Sequence, residues 1–265
     1  MTESPFLAAA HAAADAAEQV IRHYYEAGVD IQMKADATPV TRADVESEQA
    51  IRAIIGERFP DHGFFGEETG QQDIDAEYVW LIDPIDGTKS FVRGYPFFST
   101  QIALMQRGEL VLGLSNAPMF GERAWAETGR GAYMDGARIA VAATAALADA
   151  TLSTGNLKSI ASSPRWADLG ALVARVNRVR GYGDFYHYHL LASGRIDLVI
   201  ESDVNILDIA ALAVIVQEAG GVFTDLTGAK LGLDTRDVLA AANKSLHQAA
   251  HALLPWERPG TGPGA

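Results

Sequence analysis

The chain has 265 residues, 48% of them hydrophobic and 21% charged, which is enough apolar material for one large domain or two smaller ones. Its formal net charge of −13 argues against a broad nucleic-acid-binding surface, which needs clustered Lys and Arg, but leaves room for a phosphorylated small substrate where divalent ions reverse the local sign. There is no cysteine, so disulfide frameworks, thiolate metal sites and cysteine nucleophiles are excluded.

Residues 4 to 27 have the spacing of an amphipathic helix. Phe6, Leu7, Ala10, Ala14, Ala17, Val20, Ile21 and Tyr24 recur at helical intervals, Ser4 can cap, and Pro5 sits in the first turn. The segment lacks a basic n-region and carries Glu3, His11, Asp15 and Glu18, so it does not read as a signal peptide. No stretch is long and apolar enough to span a membrane, and the expectation is a soluble, cytoplasmic protein. Met33 to Thr41 is polar and irregular, a hairpin or loop. Thr41 then opens a second helix with Ala43, Ile51, Ile54 and Ile55 on its apolar face. Asp44 has two readings, helix-start electrostatics or a working carboxylate.

After a turn at Phe59 to Gly63, Phe64-Phe65-Gly66 reads as a strand that ends at Glu67-Glu68. Tyr78 to Ile82 is a second, buried strand, and it runs into Asp83-Pro84-Ile85-Asp86-Gly87-Thr88. Pro84 turns the chain, Gly87 allows close approach of a ligand, and Thr88 supplies a hydroxyl. An acidic turn is the plain alternative. Glu67 lies sixteen positions before Asp83, so two strands ending at the same edge would gather Glu67, Asp83 and Asp86. Carboxylates so gathered repel one another unless a cation sits among them.

Strands are then expected at Phe97 to Met105, Glu109 to Leu114, Glu122 to Glu127 and Gly131 to Met134, joined as a meander. An Ala-rich linker at 142 to 150 marks the expected division: 1–145 with most of the acidic motif, 146–254 with Asp208, and a flexible tail at 255–265. The second part alternates strands (Thr151 to Thr154, a strand and turn over Val179 to Asp184, Ile196 to Glu201, Val222 to Thr224, Val238 to Ala241) with helices (Pro164 to Asn177, Phe185 to Ala192, Asp208 to Ala219, and a last one to about Leu254). His62, His247 and His251 are expected at the surface, and Phe97 and Phe98 in the core.

In order, Lys34, Thr38, Thr41 and Asp44, then Gly66-Glu67-Glu68, the Asp83 to Thr88 hexapeptide, and Asp208-Ile209-Ala210-Ala211 before Gly220-Gly221 resemble the inositol monophosphatase family over nearly the whole chain. The resemblance implies an α+β fold, a layered α-β-α-β-α sandwich of the inositol monophosphatase and fructose bisphosphatase type, usually dimeric, hydrolysing phosphate monoesters with Mg²⁺, two or three ions per site. It assigns metal ligation to Glu67, Asp83, the Ile85 carbonyl, Asp86 and Asp208. It assigns phosphate binding to the Gly87 and Thr88 N–H groups, and catalysis by water activation to Glu67, Thr88 and Asp44. One departure is Leu207, where the family usually has Trp before the last Asp.

Gly181-Tyr182-Gly183-Asp184-Phe185-Tyr186 and Thr88-Lys89-Ser90-Phe91 resemble the histidinol-phosphate phosphatase branch. Histidinol phosphate carries an ammonium and an imidazole, so Asp184 and Glu201 would pair with its cationic groups, Tyr186 would stack on the ring, and Asp86 would also touch substrate. Asp184 could instead, or in addition, cap the helix that follows. His187-x-His189 resembles a metal pair, but alternate helical positions do not face each other. Inositol 1-phosphate or broad sugar and nucleotide phosphatase activity is the alternative. A catalytically silent metal-binding protein is the remote one.

Overall fold

The computed structural model describes residues 3–27, 31–33 and 39–254. Its elements in chain order are α1 (Pro5–Ala27), β1 (Ile31–Met33), β2 (Pro39–Thr41), α2 (Arg42–Arg58), β3 (Gly63–Gly66), β4 (Gly70–Gln72), β5 (Tyr78–Asp86), α3 (Thr88–Phe91), β6 (Ser99–Gln106), β7 (Glu109–Ala117), β8 (Glu122–Glu127), β9 (Ala132–Met134) and β10 (Ala137–Ile139). A 3-10 turn at Leu147–Asp149 follows, then β11 (Thr151–Thr154), α4 (Lys158–Ala161), α5 (Arg165–Val173), β12 (Arg178–Arg180), α6 (Asp184–Ala192), β13 (Leu198–Ser202), α7 (Ile206–Glu218), β14 (Val222–Thr224), β15 (Asp237–Ala241) and α8 (Lys244–His251).

These elements form two compact units. The first runs to Arg138 and takes in Leu207–Glu218; the second comprises Ile139–Ile206 and the chain from Ala219. The expected contiguous division at 145/146 differs on one point that matters: α7, and Asp208 with it, clusters with the first unit. Of the expected hairpin, β1 and β2 pair antiparallel. Lys34, Thr38 and the tail from Pro255 lie outside the described residues.

The first unit is built on one eight-stranded sheet, ordered β10-β9-β8-β7-β6-β5-β3-β4. α1 starts where the Ser4 hydroxyl accepts from the Leu7 amide at 3.0 Å, an N-cap that satisfies one orphan donor. Its Ala-rich stripe and Ile21 join Ile51 and Ile55 of α2 in a single core with Trp80, Ile82, Ile102, Leu104, Leu112 and Leu114 of the sheet. Neighbouring strand residues point to opposite faces. Gly113, between Leu112 and Leu114, therefore faces the other side, where a methyl group on it would lie 2.2 Å from the Ala211 carbonyl oxygen. α7 packs that closely because Gly113 has no side chain. This unit thus carries helices on both faces of its sheet.

The second unit holds a five-stranded sheet, β12-β11-β13-β15-β14. β12, β11 and β13 are parallel, and β15 pairs antiparallel with β13 and β14. Leu198, Val199, Ile200 and Val238 to Ala241 are buried. Asn243 caps α8, accepting from the Leu246 amide at 3.0 Å. The α+β class is as expected. Among the described residues no helix is long and apolar enough to cross a membrane.

Two histidines differ from their expected surface positions. His62 Nδ1 accepts from the Trp80 indole at 3.0 Å, and its ring stacks on Phe59 and Tyr78. His247 is buried, with its Nε2 2.8 Å from the Thr224 hydroxyl. An imidazole has two apolar faces and a polar rim, so an aromatic neighbourhood with one polar partner accommodates it.

Candidate active site

β3 and β5 are parallel neighbours, with Gly63 opposite Val79 and Gly66 opposite Ile82. Both therefore end at the same edge, and the Glu67 amide donates to the Ile82 carbonyl at 3.1 Å. That register sets Glu67 beside Asp83, as the sixteen-residue spacing predicts.

Asp83 and Asp86 need a further device. In a regular strand, residues three apart point to opposite faces. Here the pairing of β5 with β6 shifts between Asp83↔Gln101 and Asp86↔Ser99, so β5 carries one extra residue at Pro84-Ile85. Such a bulge re-aims the side chains that flank it. It is pinned by the Ile85 amide donating to Asp83 Oδ1 at 2.9 Å and by the Thr100 hydroxyl donating to the Pro84 carbonyl at 2.9 Å. Asp208 enters from the first turn of α7, where the helix dipole favours a carboxylate.

Ligand oxygens of Asp83, Asp86 and Asp208 all lie within 4.8 Å of one another. Asp83 is 2% exposed. Burial, then the charges of Glu67, Asp86 and Asp208, then a hydrogen bond with Glu67, hold its carboxyl well above the ordinary 3.8. Glu67 thus belongs to the same electrostatic cluster while standing outside the tightest triplet. A hard divalent cation fits this donor set: all the donors are oxygens, and a positive charge offsets both the burial and the repulsion that raise Asp83.

Gly87 follows at φ +95°, and a methyl group on it would lie 2.6 Å from the Phe97 carbonyl oxygen, so the turn into α3 accepts only glycine. The Thr88 hydroxyl lies 3.2 Å from Asp44 Oδ1 and 3.1 Å from the Ile85 carbonyl, an acceptor on each side of its single proton. Asp44 is fully buried. It reaches across from α2 to α3, which is more than helix-start electrostatics.

One residue of this region escapes the sequence reading. Glu48 is buried on α2, and its carboxylate accepts from the Glu68 and Thr69 amides at 2.7 and 3.2 Å. The available signal is its spacing: it lies four residues after Asp44 and three before Ile51, on the buried face of the same helix.

Of the expected recognition residues, Asp184, Tyr186 and Glu201 lie in the second unit and Asp86 in the first. Asp184 is the first residue of α6, half-buried, at φ +44°, with Gly183 in the cap position. Gly183 has no side chain to cap with, and Asp184 stands in the first turn as its acidic residue. A non-glycine residue held in the left-handed region carries a local cost. Tyr186 is half-buried and edge-on to Tyr182 and Phe185. Glu201 is 4% exposed, and its carboxylate accepts from the Tyr188 hydroxyl at 3.0 Å and the Asn156 amide at 3.1 Å. His187 Nε2 stands 3.2 Å from Glu201, while its Nδ1 stands 3.4 Å from the Ser153 hydroxyl. His189 packs edge-on against Phe185 instead. The two histidines thus part company, as helical geometry requires.

Residues 2–256 match the model of the inositol monophosphatase family. The chain is 41% identical to the histidinol-phosphatase of Mycobacterium tuberculosis, over 82% of this chain and 86% of that one. It is 39% identical to the bifunctional phosphatase IMPL2, chloroplastic, of Arabidopsis thaliana, over 95% and 75% respectively. Among solved structures, the extragenic suppressor protein suhB from Bartonella henselae superposes with a TM-score of 0.86 at 28% identity, covering 97% of this chain and 100% of that one. The chain therefore belongs to the inositol monophosphatase family, has its α+β fold, and is a phosphatase.

Proposed function

We propose that this phosphatase hydrolyses L-histidinol phosphate to L-histidinol and phosphate, in a magnesium-dependent reaction belonging to histidine biosynthesis. The observation that carries the chemistry is the cluster of Asp83, Asp86 and Asp208 within 4.8 Å, with Glu67 beside it. The 41% identity to a histidinol-phosphatase and the Gly183-Asp184-Phe185-Tyr186 segment support the substrate.

Glu67, Asp83, the Ile85 carbonyl, Asp86 and Asp208 would hold the Mg²⁺ ions, which when bound lower the pKa of a water and neutralise charge on the phosphate and leaving oxygens. The chain's own groups do the rest. Backbone N–H groups of Gly87 and Thr88, at the opening of α3, would receive phosphate oxygens. The Thr88 hydroxyl donates its proton toward Asp44, which leaves its oxygen lone pairs to accept from, and so orient, the attacking water. Asp44 and Glu67 are the carboxylates assigned to take the water's proton. The water oxygen bonds to phosphorus as the ester P–O bond breaks, and the proton that the water gives up ends on the leaving alkoxide, which departs as the alcohol.

Asp184 is assigned to the substrate's ammonium and Tyr186 to its ring. Glu201 keeps lone pairs beyond the two hydrogen bonds described above, so it stays assigned to the second cationic group. Asp86 is assigned a substrate contact as well as a metal. A cytoplasmic homodimer accompanies this reading.

Phosphate release with Mg²⁺ from histidinol phosphate, inositol 1-phosphate, fructose 1,6-bisphosphate and adenosine 3′,5′-bisphosphate, compared by kcat/KM, tests it. A large preference for histidinol phosphate is expected. A flat profile or a preference for inositol 1-phosphate would discard the substrate assignment and keep the metal chemistry; release undiminished in EDTA would discard the metal chemistry.

A further inference from the structure

We propose that Glu48 is a positioning residue whose buried carboxylate holds the Gly66–Thr69 turn and thereby aims Glu67 at the carboxylate cluster. The proposal rests on the metal-dependent reading above for its consequence, though not for its geometry.

Glu48 is 0% exposed on α2. A buried carboxylate without partners is very costly, and this one meets three donors, all from a single turn. Oε2 accepts from the Glu68 amide at 2.7 Å. Oε1 accepts from the Thr69 amide at 3.2 Å and from the Thr69 hydroxyl. Gly66 makes the approach possible: a methyl group there would lie 2.0 Å from Glu48 Oε1, in space the carboxylate already fills. Arg52, one helical turn on, backs the same turn by donating to the Thr69 hydroxyl oxygen at 3.0 Å.

Charge-assisted hydrogen bonds to backbone amides are short and directional, so two of them on successive residues define the path of the turn. Glu67 is the residue immediately before. Its own amide is tied to Ile82 at 3.1 Å. With the peptide held on both sides, the Glu67 side chain leaves a fixed backbone, and it shares a hydrogen bond with Asp83. The helix adds a second constraint. Asp44 and Glu48 are four residues apart, one turn or about 6 Å along the axis. The first is bonded to Thr88 and the second to Glu68 and Thr69. One rigid helix therefore spaces the two turns that bear Glu67 and Thr88.

The test uses the full chain carrying Glu48→Gln and, separately, Gly66→Ala. Both oxygens of Glu48 accept an N–H, so a glutamine must turn its NH₂ group toward one of those donors. Gly66→Ala keeps the charge and pushes the carboxylate aside. Ile55→Ala, in the core of the same helix, serves as a control that loses stability by leaving a cavity. Three quantities are read: backbone amide hydrogen exchange in EDTA, the Mg²⁺ concentration that gives half of the metal-induced rise in Tm, and KM against kcat at saturating Mg²⁺.

In both site variants the Mg²⁺ midpoint should rise about tenfold or more, as removal of groups that orient metal ligands does elsewhere. Exchange at Glu68 and Thr69 should quicken by about the same factor, and KM should stay within about twofold. Ile55→Ala should lower Tm without moving the midpoint. An unchanged midpoint in Glu48→Gln, or an equal shift in Ile55→Ala, would overturn the proposal. Should Glu48→Gln fail to fold, Gly66→Ala decides by the same criteria. Exchange in the wild type stands apart from both variants: Glu68 and Thr69 amides that exchange as fast as free loop amides would overturn the proposal directly. A wild-type protein with no Mg²⁺-linked change in Tm would instead defeat the metal reading, leaving the exchange measurement to judge the hold on the turn.

Discussion

The Glu67 amide donates to the Ile82 carbonyl at 3.1 Å, one residue short of Asp83. This backbone bond extends the parallel ladder by which Gly66 lies opposite Ile82. It makes the nearness of the Glu67 and Asp83 backbones a property of the sheet, and four expectations concern the cluster, its supports and the substrate.

Asp83 holds its proton more tightly in the folded, metal-free protein than in the unfolded chain. Its carboxyl is raised well above 3.8 by burial and by Glu67, Asp86 and Asp208. An acid whose folded pKa is raised binds its proton more tightly when folded, so its contribution falls as pH rises above the unfolded value, until the folded pKa is passed. Asp83→Asn removes this dependence. In EDTA, the Tm of Asp83→Asn minus that of the wild type should grow as pH rises from about 4 upward. With Mg²⁺ the difference should shrink or reverse, because the ion stabilises the charged form. A difference that is flat with pH in EDTA would contradict the assigned electrostatics.

Asp86 has both a metal and a substrate contact assigned to it. Asp86→Asn preserves shape and removes charge, so kcat should fall by about 10²–10³-fold or more. An effect on KM alone, with near-normal turnover, would remove Asp86 from the reacting centre.

Gly113 lies on β7, yet it governs how closely α7 approaches. Gly113→Ala places a methyl group 2.2 Å from the Ala211 carbonyl oxygen, so α7 must shift and carry Asp208 with it. Overpacking of this kind costs about 1–3 kcal/mol. Urea unfolding should show that loss, and titration with Mg²⁺ should show weaker binding. Destabilisation with an unchanged Mg²⁺ titration would mean that Asp208 follows the metal independently of α7.

Asp184 separates the two substrate readings. An inositol ring carries no cation, whereas histidinol phosphate carries an ammonium. Asp184→Ala should lower kcat/KM for histidinol phosphate by about tenfold or more and leave inositol 1-phosphate hydrolysis little changed. Equal losses on both substrates would make Asp184 structural, consistent with its strained φ of +44°.

The amino-acid sequence by itself determined the longer elements and the family. Helical spacing marked α1 and α2, alternation and turn residues marked the meander, and the acidic hexapeptide announced the cluster. These are legible because they depend on residue types within a few positions of one another. The spacing of Glu67 and Asp83 was also sufficient, since it requires only that neighbouring strands end together. Tertiary structure decided three things. The bulge at Pro84-Ile85 turns Asp83 and Asp86 to one side, and it exists only in register with β6. α7 brings Asp208 into the first unit through the contact of Ala211 with Gly113, far away in sequence. Glu48, placed by its spacing on the inner face of α2, could be buried as a carboxylate because Gly66 made room for it and two amides met it there. In each case a side chain's role was set by a partner distant along the chain, and local propensity carries no information about such a partner.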